Sequence, residues 1–336
     1  MSTRTTRRRA LALPALLAAT GAALPPAARA QPAPAPWSPA RPVSLVVPYP
    51  AGGPTDVLAR LVAAELARDL ASPVVVENIG GGGGSIGTRR VATGPADGTA
   101  IMLASNQTHA TNISLLPDGG GYDPVRDFTP IAGLADLQHI LVARPDVPAG
   151  TVAELLALAR AQPGKLACAS TGQGSASHLT LELFRAKTGA DLVHVPYRGA
   201  SPMLNDLLGG HVQLAFATTP TVLTQVQSGR LRGLAVASPN RSPHLPDLPT
   251  LAEAGVPGVE ADAWFALFAP AAIPAPALAR LRELTLAAMA REPVRARTTE
   301  VGMTVHTRSA EDMASFLRED IARWAEVIRA ANVKPE

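Results

Sequence analysis

The glycine-rich run VVVENIGGGGGSIGTRRVA, residues 74–92, contains the residues whose types and spacing most suggest chemistry. A short β-branched segment leads into five consecutive glycines, residues 80–84, and a segment compatible with a helix follows them. Glycine loops between a strand and a helix often bind an anion through exposed backbone N–H groups. The run therefore predicts an anion site, and the question is which kind of anion it holds.

Two enzyme motifs match this run, but neither is specific here. The dinucleotide pattern GxGxxG fits Gly82, Gly84 and Gly87. The same run also fits the pattern around the nucleophile of many hydrolases. That pattern, GxSxG, fits Gly83, Ser85 and Gly87. A dinucleotide site also needs an acidic residue at the end of a second strand, and none stands there. A P-loop needs a Lys-Ser or Lys-Thr pair directly after the glycines, and no such pair follows them there. Nucleotide binding and hydrolysis are therefore disfavoured.

A second loop of this kind precedes the glycine run. The segment VPYPAGGPTD, residues 47–56, follows the first apolar strand, and its two glycines allow close backbone approach to a ligand. Pro54 and Thr55 are typical of a helix start, and Asp56 falls in the first turn of that helix. Asp56 either stabilises the helix dipole or contributes to a ligand nest at the end of a parallel strand. The two loops follow neighbouring predicted strands, so together they could cradle one anion.

Two further loops also lie at predicted strand ends. The segment ASTGQGSASH, residues 169–178, offers hydroxyl groups and two glycines, and it ends at His178. This histidine is either hydrogen-bonded within the fold or in contact with a ligand. The segment HVPYRGASPML places Tyr197 and Arg198 at the end of another strand. Because the first two loops contain no Lys or Arg, we expect recognition by backbone N–H groups and hydroxyls, which favours a small carboxylate over a polyphosphate.

The other reactive side chains form no recognisable catalytic or metal site. The seven histidines are dispersed, no HExxH motif is present, and the single cysteine, Cys168, lies in an apolar segment. We therefore expect no metal, no cofactor and no catalytic group.

Strands and helices alternate along the chain and must position these loops. Short apolar runs predict strands, and 3.6-residue periodicity predicts helices at 54–70, 85–93, 151–161, 175–188, 201–208 and 310–330. This alternation predicts an α/β fold with parallel sheets covered on both faces. The apolar stripe of the last helix is interpreted as facing the core.

Two long apolar segments, residues 128–144 and 262–270, interrupt the alternation and are interpreted as crossings between two lobes. We predict that lobe 1 comprises residues 43–138 and about 265–336, and that lobe 2 comprises residues 139–264.

The first 30 residues are predicted to be an export signal of the twin-arginine type. They contain an arginine pair beginning at Arg7, an apolar stretch shorter than the roughly 20 residues that span a bilayer, and an A-x-A motif ending at Ala30. Cleavage after Ala30 would leave a proline-rich lead-in, residues 31–42, and a soluble periplasmic protein.

Removing the signal changes the charge of the chain. Five of its 30 basic residues and none of its 27 acidic residues lie in the signal, so the mature chain has 25 basic and 27 acidic residues. A net charge of −2 disfavours a nucleic-acid partner.

A set of motifs from Pro42 to the C-terminus is specific in combination. In chain order they are VPYPAGGPTDVLAR, ENIGGGGGSIG, PADGTAIMLAS, DFTPIAGL, PGKLACASTGQGSASHLTLELF, HVPYRGASPMLNDLLGGHVQLAF, LPDLPTLAEAGVPGVE and WFALFAPAAIP. With these motifs the chain resembles the Bug family of extracytoplasmic solute receptors, the substrate-binding proteins of tripartite tricarboxylate transporters. One departure is that Gly80 and Gly82 stand where that family commonly has proline and alanine, which makes the empty loop softer.

The resemblance implies a two-lobed α/β periplasmic-binding-protein fold of type II, with the ligand in the cleft between the lobes. It implies a monomer that delivers a small dicarboxylate, tricarboxylate or aromatic monocarboxylate to integral-membrane transporter subunits. The ligand-binding residues that follow are Tyr49, Ala51, Gly52, Gly53, Thr55, Asp56, Gly83, Gly84, Ser85, Thr171, Gly172, Ser175, His178 and Tyr197. Two alternatives remain, namely an exported enzyme with Ser175 or Ser85 as nucleophile and a sensor that feeds a signalling partner.

Overall fold

The computed structural model describes residues 1–3 and 37–334, and residues 37–334 belong to one compact unit. The predicted export signal from residue 4 onward, its cleavage after Ala30 and the beginning of the proline-rich lead-in lie outside the described residues. Within the described part, none of the helices combines the length and the apolar character needed to cross a bilayer.

The described residues contain eleven strands. They are β1 (Val43–Val47), β2 (Val74–Asn78), β3 (Ala100–Ser105), β4 (Phe128–Leu137), β5 (His139–Ala143), β6 (Leu166–Ser170), β7 (Leu192–Pro196), β8 (Leu214–Thr218), β9 (Arg232–Val236), β10 (Ala263–Pro270) and β11 (Thr304–Arg308).

Ten α-helices lie between or after these strands in the described residues. They are α1 (Pro54–Leu70), α2 (Ser85–Ala92), α3 (Asn112–Leu115), α4 (Val152–Ala161), α5 (Ala176–Thr188), α6 (Ala200–Gly209), α7 (Thr219–Gln227), α8 (Ala275–Ala290), α9 (Glu292–Glu300) and α10 (Ala310–Ala330). Short helical turns occur at Gly82–Gly84 and Pro117–Gly120, which are 3-10 turns, and at Gln107–Thr111, which is a π turn.

The strands form two sheets, and each sheet with its helices makes one lobe. The sheet of lobe 1 has the order β11–β4–β10–β3–β1–β2, and the sheet of lobe 2 has the order β7–β6–β8–β5–β9. Each lobe has its own buried core, which includes Leu45 and Leu267 in lobe 1 and Phe184 and Phe216 in lobe 2. The predicted two-lobed α/β fold is confirmed.

Both sheets are mixed, so the expectation of purely parallel sheets was wrong. β1 pairs in parallel with β2 and β3, whereas β10 pairs antiparallel with both β3 and β4. In lobe 2, β6 is parallel to β7 and β8, but β5 is antiparallel to β8 and β9. The reason is that β5 and β10 begin where the chain crosses between the sheets, whereas their neighbours end there. His139 at the start of β5 pairs with Thr218 at the end of β8, and Phe265 near the start of β10 pairs with Ser105 at the end of β3.

The periodic helices were predicted accurately because their apolar faces are packed. α1 begins at Pro54, whose fixed φ suits the first helical position, and it buries Leu58 and Leu66 against the lobe 1 core. The stripe of α10 is also buried, including Leu317 and Trp324, which confirms its assignment to the core. β11 was not predicted, because its sequence TVHTR is short, polar and largely exposed.

The two chain segments that cross between the lobes are bonded to each other. Gln138 Nε2 donates to Ser238 Oγ at 3.1 Å, and Ser238 Oγ donates to Asp262 Oδ2 at 3.0 Å. Next to these bonds, His139 Nδ1 lies 2.7 Å from the carbonyl oxygen of Ala261, the residue before Asp262. The base of the cleft is therefore held by side chains from both crossings.

Candidate functional site

A cavity that is partly open to solvent lies between the two lobes. From lobe 1 it is lined by Tyr49, Pro50, Gly53, Pro54, Thr55, Ser105, Asn106, Gln107, Ala263 and Phe265. From lobe 2 it is lined by His139, Thr171, Ser175, Ala176, Gly199, Ala200, Ser201, Pro202 and Thr218. Small-molecule sites commonly lie in clefts between two domains.

Four helices begin at this cavity. The N-cap residues of α1, α5, α6 and α7 are Gly53, Ser175, Gly199 and Thr218, and all four line the cavity wall. Only α5 has a side-chain cap, in which Ser175 Oγ accepts from the His178 N–H at 3.3 Å. Since the first N–H groups and the positive end of the dipole lie at a helix N-terminus, this arrangement creates a positive potential without any cation.

Among the residues that the structure describes, no Asp, Glu, Lys or Arg lines the cavity. Burial lowers the pKa of His139 to about 4, so its ring is neutral near pH 7. Burial also raises the pKa of Tyr49, so its phenol stays protonated. The site can therefore bind an anion through N–H and O–H donors without an ion pair.

A polar cluster on lobe 1 forms one side of the site. The Tyr49 hydroxyl lies 2.7 Å from Ser105 Oγ and donates to Gln107 Oε1 at 3.2 Å. Gln107 Nε2 in turn donates to the carbonyl oxygen of Gln173 in lobe 2, at 3.1 Å. Between these satisfied groups, Asn106 is only 2% exposed, and its Nδ2 has no hydrogen-bond partner among the described residues. It is a buried donor that no described residue satisfies.

Asp56 holds the β1–α1 loop and does not line the cavity. It accepts hydrogen bonds from Gly52 N at 3.0 Å, Arg60 Nε at 2.9 Å and Asn78 Nδ2 at 3.0 Å. Burial raises the pKa of Asp56, but these hydrogen bonds outweigh it, and the pKa is lowered overall. The ionised carboxylate fixes the loop so that Gly53 and Thr55 face the cleft.

The glycine run supports the site from outside the cavity wall. Gly83 has φ of 61°, and its carbonyl oxygen accepts from Asn112 Nδ2 at 3.0 Å. A Cβ added at Gly84 would lie 2.7 Å from Thr108 Cγ2, in the π turn that begins with Gln107. The glycines therefore allow close packing against the segment that carries Asn106 and Gln107, and Gly83, Gly84 and Ser85 are not on the wall themselves.

Some of the site residues predicted in lobe 2 line the cavity, and others do not. Thr171 and Ser175 line the cavity, whereas His178 lies behind them, with its Nδ1 accepting from Gly174 N at 3.0 Å. The His178 ring is stacked on that of His194, with the ring centroids 3.9 Å apart. The Tyr197 hydroxyl donates to Asp206 Oδ2 at 2.9 Å. The predicted site residues that do not line the cavity are Ala51, Gly52, Asp56, Gly83, Gly84, Ser85, Gly172, His178 and Tyr197.

Sequence reasoning missed several residues on the wall. These are Ser105, Asn106 and Gln107 after β3, His139 at the crossing, and the helix starts at Gly199 and Thr218. The polar residues Ser105, Asn106 and Gln107 stand at the end of the buried β3 run. Polar or glycine-rich residues at the end of a strand were the pattern that identified the first two loops. That signal could have found them.

The polar groups around Ser175 are those of a helix cap rather than of a nucleophile. Its Oγ donates to the carbonyl oxygen of Gly172 at 2.6 Å and lies 2.9 Å from Ser177 Oγ. Across residues 1–3 and 37–334, no group of three or more His, Cys, Asp or Glu side chains is placed to hold a metal ion.

Known proteins resemble this chain over most of its length. The family described as "Tripartite tricarboxylate transporter family receptor" matches residues 58–333. Protein BugT of Bordetella pertussis is 38% identical over 321 residues, which cover 95% of this chain and 98% of BugT.

Two solved structures resemble this chain in both fold and sequence. R. palustris Rpa4515 with adipate has a TM-score of 0.85 and 37% identity, and the match covers 89% of this chain and 99% of Rpa4515. MatC from Rhodopseudomonas palustris with bound malate has a TM-score of 0.81 and 34% identity, and it covers 86% of this chain and 99% of MatC.

Proposed function

The chain belongs to the tripartite tricarboxylate transporter receptor family, and on that premise we propose that it is a periplasmic solute receptor. It captures a small carboxylate in the cleft between its lobes and delivers it to the integral-membrane subunits of a tripartite transporter. Its homologues are binding proteins, and the helix-cap geometry of Ser175 also supports binding over catalysis.

The observation that carries this proposal is the convergence of four helix N-termini on a cavity whose described lining residues include no Asp, Glu, Lys or Arg. Helix N-termini stabilise carboxylates through N–H groups and the helix dipole. The relatives Rpa4515 and MatC, whose structures contain adipate and malate, support a carboxylate in this chain too. Of the residues named from the sequence, we assign direct contact to Tyr49, Gly53, Thr55, Thr171 and Ser175.

We expect small carboxylates to raise the melting temperature of the mature protein. At a ligand concentration near 100 times the dissociation constant, the stabilisation should be about 2.7 kcal/mol. A thermal-shift panel should contain dicarboxylates, tricarboxylates and aromatic monocarboxylates, each paired with its uncharged amide as a control. A panel in which only amides or sugars stabilise the protein would contradict the proposed function.

We propose that the protein is exported to the periplasm and that its signal is cleaved after Ala30. We also propose that the mature protein is a monomer and that its two lobes meet near residues 138–139 and 264. The motivation is the A-x-A motif of the signal and the passage of the chain between sheets at Gln138. Native mass spectrometry of the periplasmic fraction should give the mass of a single chain that begins at Gln31. A mass that retains residues 1–30, or that of a dimer, would refute this part.

A further inference from the structure

His139 occupies a place in the cavity that the anion argument does not explain. It is the first residue of β5, it is 2% exposed, and it is one of the residues that line the cavity. Its Nδ1 lies 2.7 Å from the carbonyl oxygen of Ala261. A carbonyl oxygen can only accept a hydrogen bond, so Nδ1 carries the hydrogen.

This contact determines what the second ring nitrogen can do. Because burial keeps the imidazole neutral, a hydrogen on Nδ1 leaves Nε2 as a bare acceptor. Nε2 has no hydrogen-bond partner among the described residues, and the Nδ1 edge is already occupied by Ala261. The acceptor is thus the part of the ring that a ligand can use.

A carboxylate group needs hydrogen-bond donors and cannot donate to an acceptor such as His139 Nε2. The helix starts at Gly53, Gly199 and Thr218 present N–H groups, and Asn106 Nδ2 adds another donor. A carboxylate oxygen against the Nε2 lone pair would be repelled, and an alkyl carbon there would leave a buried acceptor unpaired, which is costly. A hydroxyl or amino hydrogen satisfies Nε2.

Resting on the proposed function, we propose that this site selects carboxylates that also carry a hydrogen-bond donor, a hydroxyl or an amino group, and that His139 Nε2 accepts from that group. His139 is thereby a specificity residue of the site, while its Nδ1 joins the two crossings between the lobes.

The test compares ligands that differ only in the donor. Succinate with malate, and glutarate with 2-hydroxyglutarate, are matched in chain length and carboxylate number. Calorimetry with the mature wild-type protein should show the hydroxylated member of a bound pair binding at least about tenfold more tightly, which corresponds to about 1.4 kcal/mol.

His139→Phe keeps an aromatic ring but removes the acceptor, so the preference within each pair should fall to about one. The ratio is the informative quantity, because a general loss of structure would weaken both members alike. His139→Gln restores an acceptor oxygen and should recover part of the preference. His211→Phe, at an exposed histidine, is the matched control and should leave the ratio unchanged.

The outcomes separate the two proposals. Wild-type protein that binds no carboxylate would overturn the proposed function, and this inference with it. Carboxylate binding without any preference for the hydroxylated member would overturn this inference alone. A preference that persists in His139→Phe would overturn the assignment to His139.

Discussion

A single negative charge at residue 53 is expected to abolish carboxylate binding without harming the fold. Gly53 has an extended backbone, with φ of −84°, and it is the N-cap of α1. A Cβ at this position would have Ala200 Cβ as its nearest neighbour, at 4.0 Å, so Gly53→Asp can be accommodated. Aspartate is a favourable N-cap, and replacing glycine by it changes stability by only a few tenths of a kcal/mol.

The same carboxylate would lie in the wall of the anion site. Like charges about 4 Å apart repel by about 4 kcal/mol at an effective dielectric constant of 20. We therefore expect Gly53→Asp to weaken carboxylate binding at least about 100-fold, or about 2.7 kcal/mol, in calorimetry.

Gly53→Asn is the control for charge, because it has the same shape and caps the helix equally well. Its affinity should fall less than about tenfold, a loss below about 1.4 kcal/mol. Equal losses in the two variants would show that bulk at residue 53, and not charge, controls binding.

Asn106→Leu is expected to separate ligand affinity from stability. The Nδ2 of Asn106 is buried without a partner, and leaving a buried donor unsatisfied costs about 1–3 kcal/mol. Leucine is similar in size and suits the helical backbone of residue 106, whose φ is −53°. Urea unfolding of the unliganded protein should show equal or higher stability, whereas carboxylate affinity should fall at least about tenfold.

Asn112→Leu provides the contrast. Asn112 Nδ2 donates to the carbonyl oxygen of Gly83 at 3.0 Å and to the Tyr122 hydroxyl at 3.1 Å. Losing these bonds should lower the unfolding free energy by about 1–3 kcal/mol. If Asn106→Leu behaved like Asn112→Leu in unfolding and left affinity intact, Asn106 would be a structural residue and not a ligand contact.

The site shows where sequence reasoning succeeds and where it stops. Gly53 and Gly83 looked equivalent in the sequence, because each follows an apolar strand and precedes a helix. Sheet order distinguishes them, since β1 lies inside the lobe 1 sheet and β2 is its edge strand. The wall of the cleft is built over the ends of β1 and β3, so Gly53 and Asn106 line it while Gly83 packs behind.

Other features needed the relative placement of two segments that are distant in the chain. The α/β alternation, α1, α10 and the family resemblance came from local patterns and motif order, and all are confirmed. The role of His139 depends on Ala261, 122 residues away, and no local pattern encodes that contact. The antiparallel pairing of β5 with β8, and of β10 with β3, likewise depends on where the chain changes sheets.

The position of β10 constrains how this protein can fold. β10 lies between β4 and β3 in the lobe 1 sheet, yet all of lobe 2 precedes it in the chain. Leu267 must pair with Leu103 across a long separation in sequence, and such non-local pairing is slow. Until residue 270 is synthesised, β3 and β4 expose unpaired inner edges, which promote aggregation. Lobe 2, whose strands all lie within residues 139–236, can form first, so the lobe that starts later in the chain is completed earlier.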